Sequence, residues 1–307
     1  MKHSRRARRS RTQKKQLVPM LLGIALLVVT LLSIFLIFLK QPSKQQSDSK
    51  ASTVETTTRS SVMTSESSEV QTEIIWEQQT EPIKLPILMY HAIHVMAPEE
   101  EANANLIVDP TTFESHLKAL QDAGYYTLSP EEAYKVLTEN VLPAGKKVVW
   151  LTFDDSLWDF YSYAYPLLKQ YQMKATNNVI TGFTEYGQAG HLTLDQIKEM
   201  QTAGLSFQGH TVNHPDLEYS SIEDQTNELT SSKAYLDSQL NQETIAIAYP
   251  GGRYSVDTVA LTEQAGYKLG LTTNNGLASL ADGLLSLNRV RILPTTTGDG
   301  LISEISH

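Results

Sequence analysis

The chain has 307 residues, 41% of them hydrophobic, no cysteine, and 34 acidic against 25 basic side chains for a formal charge of −9. That length holds one large domain or two small ones, and without disulfides any folded part must stand on its own core. An acidic balance argues against nucleic acid or an anionic polymer as partner and suits a neutral or cationic ligand.

Residues 1–16 carry eight Lys or Arg and no acid. Leu17–Leu39 then runs 23 residues without a charge. At about 1.5 Å per residue this crosses a hydrocarbon core of roughly 30 Å. A cleaved signal peptide has an apolar stretch of about 7–15 residues ending at small residues, whereas "LKQPSK" follows this one. The pattern predicts an uncleaved single-pass anchor in the cell membrane, with a cytoplasmic N-terminus and everything after the span outside. Residues 40–80 are expected to be a disordered linker: Ser, Thr and Gln fill 22 of positions 41–80, leaving little to bury. Nine of the 25 basic residues and none of the acids precede residue 41, so the exterior part holds 16 basic against 34 acidic residues.

Residues 81–307 alternate between two patterns. Strands are expected at 85–93, 125–128, 147–153, 174–180, 205–209, 244–250, 267–273 and 287–293. Between them lie helical patterns, the first being "TTFESHLKALQDAG", with Phe113, Leu117 and Leu120 on one face and a Thr111-x-x-Glu114 capping box. The others cover 130–138, 159–171, 193–203, 221–240 and 255–265. Ala123-Gly124, Ala203-Gly204 and Ala265-Gly266 each end a helix and lead at once into a strand, as repeated βα units require. Seven to eight such units point to an α/β fold, a distorted (β/α) barrel, with a doubly wound open sheet as the alternative. In both, chemistry belongs at the C-terminal ends of the strands.

Three strand ends carry reactive groups. "KVVWLTFDDS" ends on Asp154 and Asp155, whose side chains should diverge because neighbours in a strand face opposite ways. "LSFQGHTVNHPDL" places His210 and His214 four apart after a strand, and "LPILMYHAIH" places His91 at the end of the first. Each feature alone is weak, because Asp caps helices and histidines fall four apart by chance. Together, two imidazoles and one carboxylate make a three-ligand site for a divalent ion with a fourth position open, zinc being the default for mixed N/O donors. A second carboxylate beside the ion is then free to act as a base. Trp158, Tyr161, Tyr163 and Tyr254 are placed to stack on sugar rings or simply to pack. Asn177 and Asn178 are polar residues in a strand, serving substrate or as satisfied core amides. His94, His116 and His191 read as surface residues.

"LTFDDS", "GHTVNHPDL" and "AYPGGRY" resemble the signature segments of the polysaccharide deacetylase (NodB-like) family over roughly residues 85–293. The resemblance implies a distorted (β/α) barrel and metal-dependent removal of N-acetyl groups from N-acetylglucosamine polymers. It implies that Asp154 is the base and that Asp155, His210 and His214 hold the metal. Two departures stand out. Ser156 replaces the family's usual Gly, and Ala248 stands where an arginine usually supports the base. Arg289 and Arg291, on one face of a late strand, are candidate replacements, if they are not solvent-facing charges on an edge strand. Gly251, in Pro250-Gly251-Gly252, offers a backbone N–H to an oxyanion. After His214 the only histidine is His307, so the family's late general-acid histidine is missing. "LPILMYHAI" and "NRVRI" resemble the poly-N-acetylglucosamine branch, which implies a circular shift in which His91 supplies that acid. The expected substrate is thus a poly-N-acetylglucosamine-type surface polysaccharide, with peptidoglycan or a non-catalytic glycan-binding role as alternatives. No protein partner is evident.

Overall fold

The computed structural model describes residues 74–306. The expected basic segment, the membrane anchor and nearly all of the linker lie outside the described residues. No helix among the described residues is long and apolar enough to cross a membrane.

Seven parallel strands form the central sheet: β1 (Ile87–Tyr90), β2 (Lys147–Phe153), β3 (Thr176–Val179), β4 (Ser206–Gly209), β5 (Ala246–Ala248), β6 (Leu269–Asn275) and β7 (Leu287–Arg291). Each pairs with the next from β2 to β7, and β1 pairs with both β7 and β2, so the ring closes. The open doubly wound alternative is excluded by that closure. The expected strand at 125–128 exists as Tyr125–Thr127, but it pairs only with the first half of β2 and does not join the ring.

The helices are α1 (Pro110–Asp122), α2 (Pro130–Glu139), α3 (Tyr165–Gln170), α4 (Thr181–Glu185), α5 (Leu194–Thr202), α6 (Ile222–Leu240), α7 (Val256–Gln264) and α8 (Gly298–Ile305). Gly124, Gly204 and Gly266 all adopt positive φ after α1, α5 and α7, as the repeated Ala-Gly endings required. Three details differ from expectation. Helix α1 is capped by Asp109, whose carboxylate accepts the Thr111 N–H at 2.8 Å, and not by Thr111. The pattern at 159–171 splits into a π-helical turn, Phe160–Ala164, followed by α3. Pro166 has no N–H to donate into the preceding turn, which favours such a rearrangement. The short strand Trp76–Gln78, paired with Val141–Pro143, begins the folded part ahead of the expected boundary at residue 81.

Side-chain alternation along β2 builds two cores at once. Val149, Leu151 and Phe153 pack outward with Phe113 and Leu117 of α1 and with Leu168 of α3. Val148 and Trp150 point the other way, into a cluster with Ile87, Ala246, Ala248, Leu269, Leu271 and Leu287. The small alanines of β5 leave room for the Trp150 ring, whose indole N–H donates to Thr176 Oγ1 at 2.8 Å. Helix α2 adds Ala133, Val136 and Leu137 to this inner cluster at the end where the strands begin. Toward the other end the inward residues turn polar: Thr152 and Asp154 after β2's apolar half, Asn178 on β3, His210 after β4, Arg289 on β7.

The distortion of the barrel has a local cause. Strands β4 and β5 share a single register pair, Gly209 with Ile247. The Gln208 side chain fills the gap, its Oε1 accepting the N–H groups of Ile245 at 2.9 Å and Ala246 at 2.8 Å. Replacing Gln208 with Ala removes one acceptor from two buried donors. Urea titration is expected to show a loss of roughly 2–4 kcal/mol; an unchanged midpoint would mean that the ladder does not depend on this side chain.

Candidate active site at the C-terminal rim of the barrel

The two acids do diverge. Asp154 is buried and turned inward, where Arg289 holds it from two sides: Nη1 donates to Oδ1 at 2.9 Å and Nη2 to Oδ2 at 2.7 Å. Asn178 Nδ2 donates to the same Oδ1 at 2.8 Å. Arg289 is itself fully buried, with Nε donating to Thr272 O at 2.7 Å and Nη1 also reaching Thr152 Oγ1 at 3.2 Å. Burial alone would raise the Asp154 pKa, but the Arg289 guanidinium beside it holds the carboxyl far below the usual range. The pairing favours the ionised form of Asp154.

Asp155 has φ +73°, which swings its side chain away from this pair and toward the loop after β4. Its Oδ1 lies 3.3 Å from His210 Nε2 and 3.4 Å from His214 Nε2, and the three donor atoms converge within 4.8 Å of one another. His210 Nδ1 donates to Ala248 O at 2.7 Å, because a carbonyl can only accept. That bond leaves Nε2 as the lone-pair nitrogen facing Asp155 and His214, the arrangement a metal-ligating histidine needs. The donor set and its orientation thus fit a divalent cation.

Backbone strain concentrates here. Of the seven non-glycine residues with positive φ among those described, four are Asp155, Ser156, Thr211 and His214. Ser156 adopts φ +49°, a left-handed conformation that favours glycine, and its hydroxyl accepts the Ile180 N–H at 3.3 Å. The histidine loop is clamped from α6 by Glu228, which accepts the N–H groups of Val212 and Asn213 at 2.8 and 2.9 Å. Gly182 in α4 lets that loop approach; a Cβ there would sit 2.7 Å from Val212 O.

His91 follows β1, whose Tyr90 is in register with Phe153, and Asp154 N donates to Tyr90 O at 3.0 Å. The imidazole is accordingly next to the acid pair on the adjoining strand. Burial lowers its pKa, while the charges of Asp154 and Asp155 pull in the opposite direction.

The remaining sequence-based candidates separate. Arg291, beyond Arg289 on β7, is half-buried, and its backbone N–H donates to Asn275 Oδ1. Neither arginine sits on an edge strand, since β7 lies between β6 and β1. In the Pro250-Gly251-Gly252 turn, Gly252 N–H donates to Tyr249 O and is spent, while Gly251 N–H takes no part in that bond. Tyr254 stacks on buried Tyr249 at 5.2 Å, and Tyr161 donates its hydroxyl to Glu199, so both serve packing. Asn177 is buried with no partner for its amide among the described residues. The expectation of surface histidines fails for His116, which is fully buried between Tyr90 OH (3.1 Å) and Thr296 O (2.7 Å). It fails also for His94, half-buried between Asp159 and Glu100.

The family model described as polysaccharide deacetylase matches residues 141–270, which carry both acids and both loop histidines. A putative polysaccharide deacetylase of Bacillus subtilis, YxkH, is 40% identical over 223 residues, 73% of this chain and 76% of its own. The chain belongs to the polysaccharide deacetylase family. It is an enzyme, a hydrolase of the class that removes N-acetyl groups from carbohydrates. The solved deacetylase PplD of Streptococcus pyogenes, in complex with acetate, is 62% identical, with a TM-score of 0.72 over 74% of this chain and all of that one. The poly-beta-1,6-N-acetyl-D-glucosamine N-deacetylase of Staphylococcus aureus is 33% identical over 55% of this chain and 61% of its own length.

Of the two candidate arginines, Arg289 on the last strand is the one that pairs with Asp154. Arg289→Ala would strand a buried carboxylate, and a loss of roughly 3–5 kcal/mol is expected in urea titration. Because the folded-state pKa of Asp154 is depressed, the pair's contribution is complete above the ordinary carboxylate value of about 4 and is lost as pH falls below it. The variant should lack that acid-side decline. Equal pH slopes in wild type and variant would count against the pairing.

Proposed function

We propose that the protein removes acetyl groups from N-acetylglucosamine residues of a surface polysaccharide, using one divalent cation, zinc by donor preference, held by Asp155, His210 and His214. The observation that carries this reading is the convergence of those three donors beside a separate carboxylate, Asp154, held inward by Arg289 and Asn178. When bound, such an ion supplies Lewis-acid polarisation of the acetamide carbonyl and acidifies the attacking water. Asp154, fixed by Arg289 and Asn178, accepts the proton from that water as its oxygen attacks the acetyl carbon. Gly251 N–H is the backbone donor on offer to the developing oxyanion. His91 delivers a proton to the nitrogen as the C–N bond breaks, releasing acetate and a glucosamine unit.

The poly-N-acetylglucosamine type is the polymer we favour, supported by the S. aureus relative and by the placement of the histidine on the first strand. Acetate release from poly-β-1,6-N-acetylglucosamine should exceed release from peptidoglycan; the reverse ranking would transfer the assignment to peptidoglycan, and none from either would leave a glycan-binding module. We further propose that Leu17–Leu39 anchors the enzyme in the cell membrane with the catalytic part outside. The full chain should then fractionate with membranes and shed an active fragment on protease treatment of intact cells, whereas a soluble product starting near residue 41 would refute the anchor.

The roles separate by mutation. Asp155→Ala should lose both metal and activity, since a ligand is gone. Asp154→Asn should retain metal by elemental analysis and lose most turnover. His91→Gln should also retain metal while turnover falls by roughly 10²–10⁴-fold, the usual worth of one positioned proton donor. Equal metal loss in all three variants would overturn this division of labour.

A further inference from the structure

Trp158 is 44% exposed and belongs to none of the hydrophobic clusters among the described residues. An indole left at the surface is normally free to move, yet this one is held through its backbone and by two neighbouring rings. Its backbone N–H donates to Gly190 O at 3.0 Å, and the preceding residue, Leu157, bridges antiparallel to His191. Its ring lies nearly parallel to His94, with centroids 6.2 Å apart and planes at 23°. Tyr163, 41% exposed, meets it edge-on at 5.9 Å.

The backing ring is itself fixed. His94 Nδ1 is 2.6 Å from Asp159 Oδ2, and its Nε2 is 3.1 Å from both oxygens of Glu100. Asp159 Oδ2 also accepts the Ile93 N–H at 3.0 Å, and the Asp159 side chain is buried. Although burial opposes it, bonding to Asp159 and Glu100 raises the His94 pKa above the ordinary imidazole value. A buried carboxylate, a doubly bonded imidazole and a backbone bridge all serve to hold one exposed aromatic plane.

The position of that plane says what it is for. Trp158 is three residues beyond Asp155, and His94 is three beyond His91. Three residues span at most about 11 Å of chain, so the plane stands within reach of the sugars next to the one being deacetylated. Rigid aromatic surface beside a carbohydrate site takes the apolar C–H face of a pyranose at little entropic cost. Tyr161 and Tyr254, the other two aromatic candidates from the sequence, are engaged in packing.

We propose that Trp158, edged by Tyr163 and backed by His94, is a subsite for a sugar ring neighbouring the reacting N-acetylglucosamine, so that the enzyme favours polymer over short fragments. This rests on the deacetylase reading above, and the test keeps the two apart. Metal-loaded full-length wild type, Trp158→Ala and Trp158→Tyr would be compared on β-linked N-acetylglucosamine oligomers from dimer to hexamer, by acetate release and by calorimetric binding. The wild type should gain in kcat/KM with length. Trp158→Ala should lose roughly tenfold more on the hexamer than on the dimer, mainly through KM, as one aromatic contact would supply. Trp158→Tyr should recover most of that gain, which a merely misfolded loop would not. An equal loss at all lengths, or an unchanged length dependence, would overturn the subsite. Length-dependent binding that needs Trp158 but releases no acetate would sink the deacetylase reading and leave the subsite standing. Absence of both binding and turnover would remove both.

Discussion

The buried ion pair between Arg289 and Asp154 is the interaction around which the catalytic end of the barrel is organised. Taking both charges out of water costs several kcal/mol each, and their attraction offsets this only when the remaining hydrogen-bonding groups are also met. Here they are: the guanidinium spends its other donors on Thr272 O and Thr152 Oγ1, and the carboxylate takes a further bond from Asn178. Five barrel residues from four strand positions thus share one network. The pair exists only because the ring closes, since β7 reaches β2 across β1. Closure of the fold and the pairing of the proposed base are thus linked.

That network also separates the roles of two adjacent acids. A carboxylate so firmly paired inward is unavailable as a metal ligand. Asp155, turned by its left-handed backbone, faces His210 and His214. Positive φ at Asp155 and His214 is costly, and it persists because neighbouring bonds enforce it. Glu228 grips the histidine loop from α6, and Ala248 O sets the His210 tautomer. Ala248 therefore contributes to the site through its backbone carbonyl.

Much of this was legible in the sequence because it is local. The strand ending on Asp154-Asp155, the His210–His214 spacing and the three Ala-Gly helix ends each need only a few residues to be read. Arg289 was narrowed to one of two positions by strand alternation, but the choice depends on a partner 135 positions away, which no periodicity encodes. The surface reading of His94 and His116 failed for the same reason: a single polar residue has no pattern, and its burial is decided by Asp159 and Thr296 arriving from elsewhere. The segment 125–128 was read correctly as a strand, yet whether a strand joins the ring or flanks it is a matter of pairing, and Tyr125–Thr127 flanks.

The central claim is that three convergent donors and a neighbouring inward-held carboxylate form a metal-dependent N-deacetylase centre. It is tested most directly by acetate release from defined N-acetylglucosamine oligomers before chelation, after chelation, and after adding back zinc. The account predicts turnover that disappears with the metal and returns with it. Turnover that survives complete removal of the metal, or a metal-loaded protein that releases no acetate, would contradict it.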